Sequence, residues 1–257
     1  MLEIESKNNN LFKEIKKLKE KKHRVKNNKY IIEGLRFLDE ALKSGVSIDS
    51  IIFTENFKEK NEEFFSNIPE NIRLIQMNEV LLKQLCSTEN PQGVLGVVNM
   101  QNKELKGGEL VILVDKVQDP GNMGTIIRTA HAAGASGIIM TKGTVDIYND
   151  KTLRSTMGSI FYIPVVEDDS LEYVKSLKEE GYKLVVSSLQ GKNNFFEENL
   201  QGKVIIAVGN EGNGVSDEVY GISDIKVKIP MPGNAESLNV AVATSVMIYE
   251  KIRQSFK

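Results

Sequence analysis

At 257 residues, 40% of them apolar but with no apolar run near the ~20 residues that cross a bilayer, the chain can bury one large core or two modest ones. A single cysteine, Cys86, excludes an internal disulfide, and with only His23 and His131 beside it no zinc site of ordinary Cys/His composition can be assembled. The formal net charge of −2 hides an asymmetry, because residues 1–30 carry ten Lys or Arg against four acids while the remainder is acidic.

The opening MLEIESKNNN lacks the basic-then-apolar order of a signal peptide, so a soluble cytoplasmic protein is expected. LFKEIKKLKEKKHRV places Leu11, Ile15, Leu18 and Val25 near helical spacing with lysines on the other face, which predicts one amphipathic helix. By itself such a basic face suits solvent as readily as nucleic acid. KNNKYIIEGLRFLDEALKSG sets Ile32, Leu35, Leu38 and Leu42 on a second helical stripe that stops at Gly45. Short strand-like runs follow at SIDSIIFT, NIRLIQM and GVLGVVNM, with a polar helical stretch, NFKEKNEEFFSN, after the first and the turn NPQG before the last. Residues 1–98 therefore read as a compact α/β domain, and 99–109, with the polar, aperiodic QNKELKGGE, as a linker.

From 110 to 257 the grammar is strand, glycine-containing turn, helix. Strand-like runs at 110–114, 137–140, 183–188, 203–208 and 225–229 predict a mainly parallel sheet covered on both faces. Ligands of such sheets sit beyond the carboxyl ends of the strands.

Three loops fall there. In DKVQDPGNMGTIIRTAHAAGA, Pro120 and Gly121 are expected to make a turn, Asn122 to cap a helix, and Gly124 to leave an opening over which Arg128 stands one helical turn later. AVGNEGNGVSDE gathers Gly209, Gly212 and Gly214, but in the order G-x-x-G-x-G, with Glu211 where a pyrophosphate would be repelled and no ribose-binding acid downstream. A dinucleotide cradle is disfavoured; a cationic ligand bearing a ribose suits the loop better. The third, IPMPGNAESLNV, leads into a final helix and offers Glu236, Ser237 and Asn239 at its start.

Asn122, Gly124 and Arg128 as N-x-G-x-x-x-R, then V-G-x-E-G at 208–212, then I-P-M-x-G-x-x-E-S-L-N-V-x-V-A at 229–243 resemble the three ordered motifs of the SpoU/TrmH family of SPOUT RNA 2′-O-ribose methyltransferases. The first domain, through YIIEGLRFLDEAL and NPQGVLGVV, is similar to the substrate-binding domains related to kink-turn-binding ribosomal proteins. The resemblance implies a Rossmann-like catalytic domain ending in a trefoil knot, an exception to the rule against threading. It also implies S-adenosylmethionine as cofactor and a homodimer. The cofactor would lie against Ser188, Leu189, Gly209, Glu211, Gly212, Ile229, Met231, Ser237 and Leu238.

It further implies that Arg128, with Asn122, Glu211, Ser237 and Asn239, surrounds the reacting 2′-oxygen, Arg128 either removing its proton or holding it in line. Deprotonating a guanidinium at neutral pH costs on the order of 9 kcal/mol, so positioning weighs as heavily as base catalysis. Lys16, Lys17, Lys21, Lys22, Arg24 and Lys26 are then expected to meet RNA phosphates. Structured rRNA is favoured over tRNA because a separate reader domain suits folded RNA. A non-catalytic RNA-binding protein on the same fold, or a nicotinamide-dependent enzyme, are the alternatives.

Overall fold

The computed structural model describes residues 1–257 except Asn102, Lys106, Leu189, Gln190, Lys192, Asn234 and Lys257. It divides into two compact units, Met1–Gln101 with Tyr148–Leu153, and Asn102–Ile147 with Arg154–Lys257.

The first unit runs β1 (Leu2–Ile4), α1 (Asn10–Lys17), α2 (Lys21–Asn27), β2 (Lys29–Glu33), α3 (Leu35–Ser44), β3 (Ile48–Phe53), α4 (Glu55–Lys60), α5 (Glu62–Ser66), β4 (Arg73–Met77), α6 (Glu79–Leu85) and β5 (Val94–Asn99). Its sheet has the order β1-β4-β3-β5-β2, parallel from β1 to β3 and antiparallel where β5 pairs with β3 and β2. Phe12, Ile15 and Leu18 of the first helical region pack with Ile52, Ile75, Leu81 and Leu85 in one buried cluster.

Two expectations fail here. The basic segment is two helices, broken at Leu18–Glu20, so Val25 leaves the apolar stripe and is exposed. KYIIE is strand β2 rather than helix; Gly34, at φ +99°, turns the chain so that α3 begins only at Leu35. Two isoleucines and a tyrosine in succession favour a strand over a helix.

The second unit runs β6 (Leu110–Val114), α7 (Pro120–Ala132), β7 (Gly137–Met140), α8 (Asp150–Thr156, which begins in the first unit), β8 (Val165–Glu167), α9 (Glu172–Glu179), β9 (Lys183–Ser187), β10 (Asn193–Asn194), β11 (Val204–Val208), α10 (Asp217–Gly221), β12 (Ile225–Lys228) and α11 (Val240–Ser255). The sheet order is β10-β12-β9-β11-β6-β7-β8, with every pair parallel. The five expected strands are present, and short β8 and β10 extend the edges. Val111, Leu113, Leu184 and Ile205 face Val174, Leu177 and Val219 of α9 and α10. Helices α7 and α11 pack on each other and on the sheet, burying Ile126, Ile127, Met247 and Ile248. Continuously apolar strands such as LVILV are thus covered on both sides. Lys251 of α11, only 2% exposed, bonds Glu109 at 3.0 Å and ties this helix to the residue before β6.

Candidate active site

The carboxyl ends of β6, β9, β11 and β12 lie side by side, so the loops that follow them meet at one edge of the sheet. The first of these loops opens α7. Asp119, not Asn122, caps that helix, accepting from the Asn122 N–H at 2.8 Å, and Pro120 occupies the first turn where its missing N–H costs nothing. Asn122 is thereby released from capping and projects from the first turn. Gly124 is buried, and Arg128, one turn on, is exposed, its side chain with no hydrogen bond or ion pair among the described residues.

The loop after β11 is stapled to itself. Asn210 and Gly214 exchange backbone hydrogen bonds at 2.8 and 2.9 Å, and Asn210 Oδ1 accepts from the N–H groups of Gly212 and Asn213. A Cβ on Gly209 would lie 2.0 Å from the Gly214 carbonyl carbon, so only glycine fits. Gly212 faces no such crowding, its nearest neighbour being 3.6 Å away. Asn210 Nδ2 also donates to the Lys116 carbonyl at 3.0 Å, which fastens this loop to the one after β6.

Glu211 holds the two loops together. Its Oε2 accepts from Gln118 N at 3.2 Å; its Oε1 accepts from Asp119 N at 3.2 Å and from Asn122 Nδ2 at 2.9 Å. Burial pushes this carboxyl upward, but the bonds from Asn122 and from the backbone outweigh it and leave Glu211 below the ordinary glutamate value. A carboxylate so occupied, near the positive end of α7, is a clamp.

The third loop closes the arrangement. Asn239 caps α11, its Oδ1 accepting from Ala241 N at 2.9 Å and Val242 N at 3.3 Å, and its Nδ2 donates to Asn122 Oδ1 at 2.9 Å. Polarity propagates along the chain: helix N–H groups fix the Asn239 oxygen, which fixes the Asn122 oxygen, which turns the Asn122 amide toward Glu211. Ser237 and Glu236, by contrast, are exposed in the loop and stand outside this chain.

Among the expected cofactor contacts, Ser188, Gly209 and Ile229 are the first residues beyond the adjacent strands β9, β11 and β12. Met231 is half-buried and Leu238 exposed in the loop that follows, while Leu189 lies outside the described residues. Small residues and backbone groups at three neighbouring strand ends, with an aliphatic surface beside them in the chain, fit a nucleoside that is held largely by main-chain bonds. Sequence reasoning missed Asp115, fully buried, which accepts from Thr141 Oγ1 and Ser216 N, each at 2.6 Å. Its signal was an acid closing an apolar strand, LVILVD.

In the first unit Lys17, Lys21, Lys22 and Lys26 are exposed, and Lys16 is exposed while donating to Gln84 Oε1 at 3.0 Å. Arg24 departs from its expected role. It is 6% exposed, and its Nη1 donates to the carbonyls of Leu18 and Lys19 at 2.9 and 2.7 Å, closing the break between α1 and α2. A cleft of about 1390 Å³ in this unit is lined by Arg36, Lys60, Asp39, Glu62 and Glu63 among others, a mixture of charge without the basic bias a polyanion requires.

Comparison with known proteins places these features in context. Residues 109–249 match the model of the SpoU rRNA Methylase family, and residues 9–96 that of the MRM3-like substrate binding domain. The chain is 39% identical, over 97% of its length and 98% of the relative's, to the 23S rRNA (guanosine(2553)-2′-O)-methyltransferase RlmP of Bacillus subtilis. Among solved structures, an AdoMet-bound rRNA methyltransferase from Sinorhizobium meliloti superposes with a TM-score of 0.88 at 32% identity, covering 99% of this chain and 98% of that one. The AdoMet complex of AviRb from Streptomyces viridochromogenes does so with a TM-score of 0.89 at 28% identity, over 97% and 99%.

Proposed function

The chain belongs to the SpoU rRNA methylase family and is an S-adenosylmethionine-dependent RNA 2′-O-ribose methyltransferase; we propose that its substrate is 23S ribosomal RNA. The observation that carries this reading is the hydrogen-bonded chain Asn239–Asn122–Glu211, which joins one residue from each of the three motif segments at the ligand-binding edge of the sheet. The RNA target follows from likeness to the Bacillus subtilis enzyme along nearly the whole of both chains.

S-adenosylmethionine supplies an electrophilic methyl group on a sulfonium. The protein's own task is to align a ribose oxygen with it and manage a proton. Ser188, Gly209, Ile229 and Met231 offer the backbone groups that would hold the cofactor, with Leu238 against its base. Arg128, exposed and uncommitted among the described residues, is the group that positions the 2′-hydroxyl or its neighbouring phosphate. Glu211 and Asn239 act on the reaction through Asn122, whose orientation they fix. Ser237 completes the polar rim.

The same reading includes a knotted segment formed by the loop before α11, a cytoplasmic location, and RNA phosphates on Lys16, Lys17, Lys21, Lys22 and Lys26. It also includes a homodimer. Val242 and Tyr249 are exposed seven residues apart on α11 with half-buried Val246 between, and exposed Phe256 follows directly after the helix, an apolar surface suited to a second copy. Light scattering that gives a monomer at micromolar concentration, with full activity, rules the dimer out.

The central test combines purified protein, 23S rRNA transcript and methyl-labelled S-adenosylmethionine, with product positions mapped as sites resistant to alkali. Transfer to a single ribose is expected. Cofactor binding without transfer to any ribosomal RNA favours the non-catalytic reading, and tight nicotinamide dinucleotide binding in its place favours the redox one.

A further inference from the structure

Lys116 stands in the left-handed region at φ +59°, two residues beyond the end of β6, where a glycine or asparagine would sit at lower cost. A side chain in this region is strained and persists where its surroundings over-determine it. Here they do. The Lys116 N–H donates to Thr141 Oγ1 at 3.2 Å and Thr144 Oγ1 at 3.1 Å, and its carbonyl accepts from Asn210 Nδ2 at 3.0 Å.

The consequence is a lysine whose backbone is pinned on both sides and whose stem is aimed. Gly143, itself at φ +96°, lies under that stem, with the position of its absent Cβ 3.4 Å from Lys116 Cγ. The exposed ammonium has one acidic neighbour among the described residues, Glu218 at 4.0 Å, also exposed. A surface pair of that length contributes little and does not account for a strained lysine. Two residues later in the same loop, the Gln118 N–H enters the Glu211 clamp. The loop that carries Lys116 is thus joined, through its own carbonyl and the Gln118 N–H, to the edge where the three motif segments meet.

We propose that Lys116 is an RNA-positioning residue of this site, its ammonium holding a phosphate of the substrate backbone beside the reacting ribose. The inference rests on the RNA methyltransferase reading and adds a contact in the catalytic unit to those of the amino-terminal lysines. It concerns phosphate and not base identity, because a lone ammonium reads charge without sequence.

The test compares Lys116→Met, Lys116→Arg and Lys116→Gly with the parent, by transfer kinetics on 23S rRNA transcript, RNA affinity across salt, cofactor affinity and Tm. Lys116→Met keeps the backbone conformation and removes the charge. It should raise KM for RNA about fivefold to tenfold and reduce the salt slope by roughly 0.7–0.9, the share of one phosphate contact, with cofactor affinity and Tm unchanged. Lys116→Arg should restore most of the RNA affinity. Lys116→Gly relieves the strained φ and should show the same RNA defect without loss of Tm. Parental KM and salt slope in Lys116→Met overturn the proposal, as does an equal defect in Lys116→Arg. An RNA defect reproduced by Glu218→Gln, which leaves the lysine in place, overturns it as well. A parent that transfers no methyl to RNA removes the functional reading itself, which separates that failure from the failure of the lysine.

Discussion

Asn239 and Asn122, 117 residues apart, share a 2.9 Å hydrogen bond whose direction is fixed at both ends. Helix α11 demands an acceptor from Asn239, and Glu211 demands a donor from Asn122. Asn239→Asp tests this polarity, because aspartate caps a helix as well as asparagine does but cannot donate. Asn122 would then stand between two acceptors, its own oxygen opposed to one of them whichever way its amide turned. Expected are a stability loss of about 1–3 kcal/mol by urea unfolding and a fall of at least ~10²-fold in single-turnover methyl transfer. Parental values for both would show that the chain of amides is decorative.

Glu211 makes the clamp sensitive to pH. Its folded value lies below that of an ordinary glutamate, so its contribution to stability is fully present above about 4.3 and is lost as pH falls through the folded value. Tm profiles of the parent and Glu211→Gln should be separated at neutral pH and draw together in acid. A separation that grows on acidification contradicts the assignment.

Arg128 is exposed and outside the hydrogen-bonded chain, so cofactor binding and transfer should separate there. Arg128→Ala is expected to bind S-adenosylmethionine nearly as the parent does while losing at least ~10²-fold in turnover. Arg128→Lys keeps charge but not the planar fork; substantial rescue identifies an electrostatic hold, and none identifies bidentate positioning or proton removal. Parental single-turnover rates in the alanine variant would remove Arg128 from the mechanism.

The basic helices divide into two kinds of cation. Charge reversal at Lys17, Lys21 and Lys22 should lower RNA affinity and flatten its salt dependence, leaving Tm and cofactor affinity alone. Arg24→Ala should do the opposite, lowering stability by about 1–3 kcal/mol because the carbonyls of Leu18 and Lys19 lose their donor. If the lysine variants bind RNA normally in 150 mM salt, their surface is merely solvated.

What the sequence disclosed follows from which interactions are local. LVILV and GIIM coincide with β6 and β7 because an apolar run between turn signals has few alternatives. KYIIE was misread because its isoleucine and the leucines of α3 share a helical period, and only the positive φ of Gly34 separates the two elements. At the site, motif spacing brought Asn122, Glu211 and Asn239 to notice, but not that Glu211 is spent on Gln118, Asp119 and Asn122. Nor did it reveal that Asp119 takes the cap. Such pairings are settled by tertiary placement, to which neither periodicity nor composition gives access. Arg24 illustrates the same limit, since a basic run does not say which of its members turns inward.

The placement of Asn239 at the head of α11 also sets a schedule. During synthesis at ~5–20 residues per second, Asn122 emerges roughly 6–23 s before the partner, 117 residues later, that fixes its amide. Strands β6 and β7 can pair in that interval, yet Met247, Ile248 and Lys251, which complete the helical layer, are still unmade. Long-range closure of this kind is slow, and the nascent chain must keep the α11 side of its sheet only partly covered, by α7, while it waits. The Asn239–Asn122–Glu211 chain thus forms in a late step, and a ribosome stalled before Asn239 holds a sheet without it.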